Sequence, residues 1–125
     1  MSATSITIVK VRDVLMVTMP PDPDDATISA LQENALQGME LHQARRLILD
    51  ITAVDTVDSF FARTVSETAQ MVALMGGRTI IAGMRPAVAI TATQLGLSLR
   101  QVETALSVER ALDMAEAEGR REARR

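Results

Sequence analysis

One serine hydroxyl lies at the junction between a predicted strand and a predicted helix, beside acidic residues that could take part in chemistry. Residues 55–61, Asp-Thr-Val-Asp-Ser-Phe-Phe, follow the apolar run 47–51 and lead into a helical pattern. Such a short run without alternation predicts a strand buried on both faces, and Ser59 is then predicted as the N-cap of the next helix. A phosphate on this serine would meet favourable helix amides and the unfavourable carboxylates of Asp55 and Asp58. A site at which an added phosphate meets both attraction and repulsion is suited to a switch controlled by phosphorylation.

The sequence lacks the residues that catalysis, metal binding or a phosphate-binding loop at this junction would need. A catalytic role for Ser59 would require a general base, and the only histidine, His42, falls in a helix-end or loop segment. The carboxylates of Asp50, Asp55 and Asp58 suit a hard cation, but Asp50 belongs to the buried strand pattern and further ligands at a matching spacing are missing. The chain also has no cysteine and no glycine-rich phosphate-binding motif. We therefore expect no catalytic residues, no metal site and no cofactor.

The apolar residues around the junction suggest a division between core and surface. Adjacent residues on a helix cannot point the same way, so we expect one of Phe60 and Phe61 in the core, with Phe60 the better candidate for a surface contact. The flexible methionines are interpreted as fillers of an aliphatic core rather than as the lining of a ligand pocket. This interpretation covers Met39, Met71, Met75 and Met84.

Length and charge narrow the class of protein. A chain of 125 residues is one domain of ordinary size, and its net charge of −3 argues against general affinity for nucleic acid. No apolar run approaches the length of a membrane span, and the polar residues 1–5 predict no secretory signal, so we expect a cytoplasmic protein. We assign residues 1–115 to a single domain and interpret residues 116–125 as a charged, frayed tail.

The elements that must position the junction alternate between strands and helices. The pattern predicts an α/β fold with a central mixed sheet of four to five strands, an antiparallel N-terminal hairpin and about four helices. The predicted elements are strands at Ser5–Val11 and Val14–Met19, a helix capped by Asp24 or Asp25 and ending near Gly38–His42, a strand at Leu47–Ile51, a helix at Ser59–Met75, a strand within Arg78–Gly83, a helix at Pro86–Leu95, a strand at Val102–Leu106 and a helix capped by Ser107.

Five segments carry a resemblance to a known family. They are 47–51 (Leu-Ile-Leu-Asp-Ile), 57–60 (Val-Asp-Ser-Phe), 76–79 (Gly-Gly-Arg-Thr), 81–86 (Ile-Ala-Gly-Met-Arg-Pro) and 95–97 (Leu-Gly-Leu). The arrangement resembles the STAS domain, the fold of anti-sigma factor antagonists, over roughly residues 5–115. Within that family it is most similar to the scaffold proteins of the stressosome. We expect no additional amino-terminal sensory domain of the kind that RsbR-type relatives carry.

The resemblance implies a non-enzymatic role in a stress-response cascade. Proteins of this group form a homo-oligomer and co-assemble with an RsbR-type paralogue into a large cytoplasmic complex that sequesters a switch serine kinase (RsbT type). Phosphorylation of the scaffold releases the kinase, and a phosphatase (RsbX type) resets the serine. By position Ser59 corresponds to the phosphoacceptor, and Asp55, Asp58 and Phe60 would complete the partner-binding surface. Thr91 lies near a second phosphoacceptor of the paralogue, although a plain helix threonine is the alternative.

Two other functions remain open from the residues. A dimeric antagonist of the same family would bind an anti-sigma factor directly and would be regulated through the same serine. A small anion- or nucleotide-binding domain would instead place a phosphate at the helix N-terminus near Ser59. A base, a metal set and a glycine-rich loop are all missing for enzymatic use of such a site.

Overall fold

Strands and helices alternate along the chain as the sequence pattern predicts. The computed structural model describes residues 6–97 and 102–124, so the predicted first strand residue, Ser5, lies outside the described residues. The elements are β1 Thr7–Val11, β2 Val14–Thr18, α1 Asp25–His42, β3 Arg46–Asp50, α2 Ser59–Leu74, β4 Arg78–Ala82, α3 Pro86–Gln94, β5 Val102–Ala105 and α4 Val108–Ala123.

The five strands form one mixed sheet in sequence order, β1-β2-β3-β4-β5. The hairpin β1-β2 is antiparallel, and every other neighbouring pair is parallel. Parallel neighbours need a crossover connection, which α1, α2 and α3 provide. The predicted mixed sheet with an antiparallel N-terminal hairpin and four helices is confirmed.

Both faces of the central strands are buried. In β3, Leu47 and Leu49 belong to the core beneath α1, α2 and α3, whereas Ile48 packs with Ala111 and Ala115 of α4 on the opposite face. Alternate residues of a strand point to opposite faces, so an uninterrupted apolar run is what two covered faces require. The prediction of a strand buried on both faces is confirmed.

Local signals set the ends of the helices. Ser107 caps α4 and Pro86 occupies the first turn of α3, as predicted. Of the two predicted candidates for the cap of α1, Asp24 is the one whose side chain caps it. Gly76 and Gly96 follow the ends of α2 and α3 with φ of +90° and +76°, values that favour glycine.

Half of the methionine interpretation is wrong. Met39 is buried and Met84 is half-buried, but the exposed fractions of Met71 and Met75 are 37% and 49%. The core-facing position in the last turn of α2 belongs to Val72, which is fully buried. Met71 therefore lies to one side of that stripe, and Met75 follows the last helical residue.

A buried arginine anchors α4 to the sheet. Arg46, at the start of β3, is 1% exposed and contacts three carboxylates: Asp13 at 2.9 Å, Glu118 at 3.0 Å and Glu122 at 2.8 Å. Asp13 lies in the β1-β2 turn, and the two glutamates lie one helical turn apart on α4. The sequence predicted a frayed tail from residue 116, but α4 continues to Ala123 because Glu118 and Glu122 hold its last turns against Arg46.

We expect Arg46→Met to lower the free energy of unfolding by about 3 kcal/mol, because the substitution leaves partly buried carboxylates without their cation. Chemical denaturation measures this change. The control is Arg45→Met, whose native side chain is 70% exposed and whose loss should cost at most about 0.5 kcal/mol. Equal losses in the two variants would show that the Arg46 contacts do not stabilise the fold.

Glu103, which lies under α4, has a pKa shifted from its ordinary value. Glu103 of β5 lies beside Glu118 and 3.6 Å from Arg78. Burial and the neighbouring carboxyl of Glu118 raise the pKa of Glu103, against the opposing effect of Arg78. A raised folded-state pKa gives stability at acidic pH, which is lost as the pH rises through that folded-state value.

We therefore expect Glu103→Gln to raise the melting temperature at pH 7, where the wild-type side chain must ionise at a cost. The gain should shrink towards pH 4.5, the ordinary value for this carboxyl, because the wild-type group is then increasingly protonated. Thermal unfolding at several pH values tests this dependence of the gain on pH. The control is Glu33→Gln, which changes an exposed glutamate. A gain for Glu103→Gln that does not change with pH would contradict the assignment.

Candidate functional site

The loops after β3 and β4 meet at one edge of the sheet. Asp50 pairs with Ala82 in the parallel register, and the next amide, of Ile51, donates to the carbonyl of Ala82 at 3.0 Å. Because β3 and β4 are parallel, both chains leave the sheet at this edge. We call residues 50–60 together with residues 83–85 the Ser59 edge.

Asp58, rather than Ser59, caps α2. Asp58 has extended backbone angles, and its carboxylate accepts a hydrogen bond from the amide of Phe61 at 2.9 Å. The prediction of Ser59 as the N-cap is therefore wrong by one residue. Aspartate caps a helix as well as serine does, and its negative charge also favours the positive end of the helix.

Ser59 is the first residue of α2, and its side chain is available to a partner. The residue is exposed, and within residues 6–97 and 102–124 its hydroxyl makes no hydrogen bond. His42 lies in the last turn of α1, which ends at the opposite edge of the sheet, before β3. The structure therefore does not bring the histidine and this serine together as a nucleophile and base would require.

Asp55 is held by an arginine from the neighbouring loop. Arg85 donates from Nη1 to the Asp55 carboxylate at 2.5 Å and from Nε to the carbonyl of Thr52 at 2.9 Å. Both charged side chains are more than half exposed, at 52% and 62%. The contact joins the loop before α2 to the loop before α3, and it partly compensates the charge of Asp55. The sequence showed the Arg-Pro segment but not this pairing.

Asp50 serves the turn that follows β3. Its carboxylate accepts hydrogen bonds from the amide and the hydroxyl of Thr52, at 3.0 and 2.6 Å. Gly83 has a φ of +79°, and a Cβ there would lie 2.1 Å from the Thr52 hydroxyl, so the two loops approach as closely as glycine allows. In the part of the chain that the structure describes, no three acidic or histidine side chains are grouped as a metal site would require.

Phe60 lies at the border of core and surface. Phe61 is 6% exposed, which confirms one phenylalanine of the pair as core. Phe60 is half-buried, and the guanidinium of Arg63 lies 5.7 Å from its ring centre. This cation-π contact is another feature that the sequence analysis missed, although the spacing of three residues on a helix could have suggested it.

Thr91 lies in α3, where its hydroxyl donates to the carbonyl of Ala87 at 3.1 Å. That bond is the usual one for a threonine inside a helix. Its phosphorylation stays a prediction, as do the partner-binding roles of Asp55, Asp58, Ser59 and Phe60.

Sequence comparison relates the chain to a domain family and to an RsbT co-antagonist protein. A family model described as STAS domain matches residues 5–111. The RsbT co-antagonist protein RsbRA of Bacillus subtilis is 32% identical over 92 residues, which are 74% of this chain. Those residues are 34% of RsbRA, so the chain spans about a third of the length of that relative.

Solved structures extend the similarity to nearly the whole chain. RsbS of Moorella thermoacetica, in a serine-to-glutamate variant, is 32% identical with a TM-score of 0.82, covering 92% of this chain and 97% of RsbS. A chain from a structure of the molecular architecture of the stressosome is also 32% identical, with a TM-score of 0.78 and coverage of 91% and 99%. Among the helices of the described ranges, none combines the length and hydropathy needed to cross a membrane.

The position of the cap can be tested by exchanging neighbouring residues. We expect Asp58→Ala to lower the free energy of unfolding by about 1 kcal/mol, since an amide of α2 loses its acceptor. Asp58→Ser should retain most of that stability, and Ser59→Ala should change it by at most about 0.5 kcal/mol. Denaturant titration distinguishes them, and a larger loss for Ser59→Ala than for Asp58→Ala would return the cap to the serine.

Proposed function

This chain belongs to the STAS-domain family, and on that premise we propose that it is a non-enzymatic stressosome scaffold and switch of the RsbS kind. It sequesters a serine kinase of the RsbT type and releases that kinase when Ser59 is phosphorylated. The observation that carries the proposal is the exposed Ser59 hydroxyl beside the Asp58 carboxylate. The similarity to RsbS over 97% of that chain and to an RsbT co-antagonist supports it.

The chemistry of the switch belongs to the kinase. The kinase transfers the γ-phosphoryl group of ATP to the Ser59 oxygen, and ADP and the hydroxyl proton leave. The scaffold contributes the Ser59 hydroxyl, which is not needed to cap α2 because Asp58 already does so. Phosphorylation therefore removes no capping hydrogen bond, and the fold can stay as it is.

Electrostatic repulsion accounts for release. A phosphate adds between one and a half and two negative charges next to Asp58, while Asp55 is partly compensated by Arg85. Added charge on a surface that was complementary to the kinase costs repulsion and desolvation. We infer that Asp55, Asp58, Ser59 and Phe60 form the kinase-binding surface in the unmodified state. The Arg85 contacts join the loop of that surface to the loop before α3.

The remaining partners are part of the same proposal. We propose that the chain forms a cytoplasmic homo-oligomer, that it co-assembles with an RsbR-type paralogue and that an RsbX-type phosphatase resets Ser59. The similarity to a stressosome chain and to RsbRA supports co-assembly. A second phosphorylation at Thr91 would first require its hydroxyl to leave the carbonyl of Ala87.

Bound anions are a weaker explanation of the same site. The Asp58 carboxylate already occupies the N-terminus of α2, where a free phosphate or nucleotide would have to bind. Like charges at one helix end oppose each other, so this alternative is disfavoured by the geometry.

The main test uses an RsbT-type kinase, ATP and magnesium, with mass spectrometry of the Ser59 peptide. We expect phosphate on Ser59 and about a hundredfold weaker kinase binding, which corresponds to about 3 kcal/mol. Ser59→Ala should bind the kinase and fail to release it, whereas Ser66→Ala, a serine within the same helix, should behave as wild type. Normal release of the kinase from Ser59→Ala would reject this residue as the switch.

Assembly size separates the scaffold from a dimeric anti-sigma factor antagonist. Light scattering after mixing with an RsbR-type paralogue should show a particle in the megadalton range. A small stoichiometric complex with an anti-sigma factor, and no large particle, would favour the antagonist.

A further inference from the structure

The first two turns of α2 carry a cation on the same side as Ser59. Arg63 follows Ser59 by four residues, the spacing that makes two helical side chains neighbours. Helical side chains lean towards the N-terminus, and the guanidinium of Arg63 does so, since it lies 5.7 Å from the ring centre of Phe60. The charge of Arg63 is therefore already positioned over the first turn.

Arg63 is not engaged by a carboxylate. It is exposed, and among the described residues no acidic oxygen lies within ion-pair distance of its guanidinium. The arginine of the Ser59 edge, Arg85, is already paired with Asp55. Arg63 is also the only cationic residue in the sequence of α2. A new negative charge on the first residue of this helix would thus find Arg63 as its available partner.

We propose that Arg63 exchanges partners with the phosphorylation state of Ser59: it covers Phe60 when the serine is unmodified and pairs with the phosphate when it is modified. The inference rests on the proposed phosphorylation of Ser59. A phosphate offers three strong acceptor oxygens, and arginine binds such groups with a planar fork of donors. A cation-π contact made by an exposed guanidinium is the weaker interaction. An anion placed four residues before a cation is also the favourable order on a helix.

The exchange gives the switch a second component besides charge. When Arg63 moves to the phosphate, the face of Phe60 that it covered becomes accessible, so the apolar surface of the Ser59 edge changes as well. The kinase-binding surface would therefore lose an arginine stacked on an aromatic ring at the same step in which it gains negative charge.

The test uses the full chain with phosphoserine incorporated genetically at position 59, so that no kinase is needed. Phosphorus NMR titration should give a second phosphate pKa that is about 0.3 pH units lower with Arg63 than in Arg63→Gln, as expected for an exposed ion pair four residues apart. Arg63→Lys should recover much of the shift, and Arg110→Gln, which removes an exposed arginine from α4, should leave the pKa unchanged.

A second measurement follows the ring. In the unmodified protein the δ-methylene protons of Arg63 should be shifted by the ring current of Phe60, and phosphorylation should return them towards ordinary values. Proton-nitrogen spectra check that each variant is folded. Equal phosphate pKa values with and without Arg63, or δ-methylene signals that phosphorylation does not move, would overturn the partner exchange.

The two proposals fail in different ways. If the NMR shifts occur but the phosphorylated chain still binds the kinase tightly, the kinase-release function is wrong and the exchange by Arg63 stands. If the kinase is released without any NMR shift, the function stands and the role of Arg63 is rejected.

Discussion

The parallel, in-register pairing of β3 with β4 is the constraint on which the Ser59 edge depends. Two parallel neighbours must be joined by a crossover, so both strands deliver their following loops to one edge of the sheet. There Gly83 lets the loop before α3 approach Thr52, and Arg85 reaches the carbonyl of Thr52 and the carboxylate of Asp55. These contacts join the loop before α3 to the loop that leads into α2, whose first residue is Ser59.

The opposite edge of the sheet has a structural role. At the start of β3, buried Arg46 joins the β1-β2 turn to the last turns of α4 through Asp13, Glu118 and Glu122. These ion pairs keep one helix over the face that α1, α2 and α3 do not cover. This network and the Ser59 edge lie at opposite ends of β3. A charge added at Ser59 is therefore separated from the ion pairs that hold α4 against the sheet.

The residue that caps α2 determines how phosphorylation of Ser59 would affect the stability of the fold. With Asp58 as the acceptor for the amide of Phe61, Ser59 stays outside the hydrogen bonding of the helix. In a serine that capped the helix, modification would change the group that makes the capping hydrogen bond, whereas modification of the first helical residue leaves the cap at Asp58 in place. The neighbouring carboxylate then makes the site sensitive to charge, and Arg63 supplies a compensating group within reach along the helix.

The sequence alone determined the order of strands and helices, the cap at Ser107 and the two-sided burial of β3, because these follow from local conformational preferences and from the period of apolar residues. For α1 it left Asp24 and Asp25 as alternative caps. The sequence also located Ser59 at an exposed helix start. It did not determine which of two adjacent capping residues accepts the hydrogen bond from the helix amide. Only the tertiary structure decided the pairing of Arg85 with Asp55 and of Arg46 with Glu118. Those partners are 30 and 72 residues apart in the chain, and their meeting depends on strand register and helix placement.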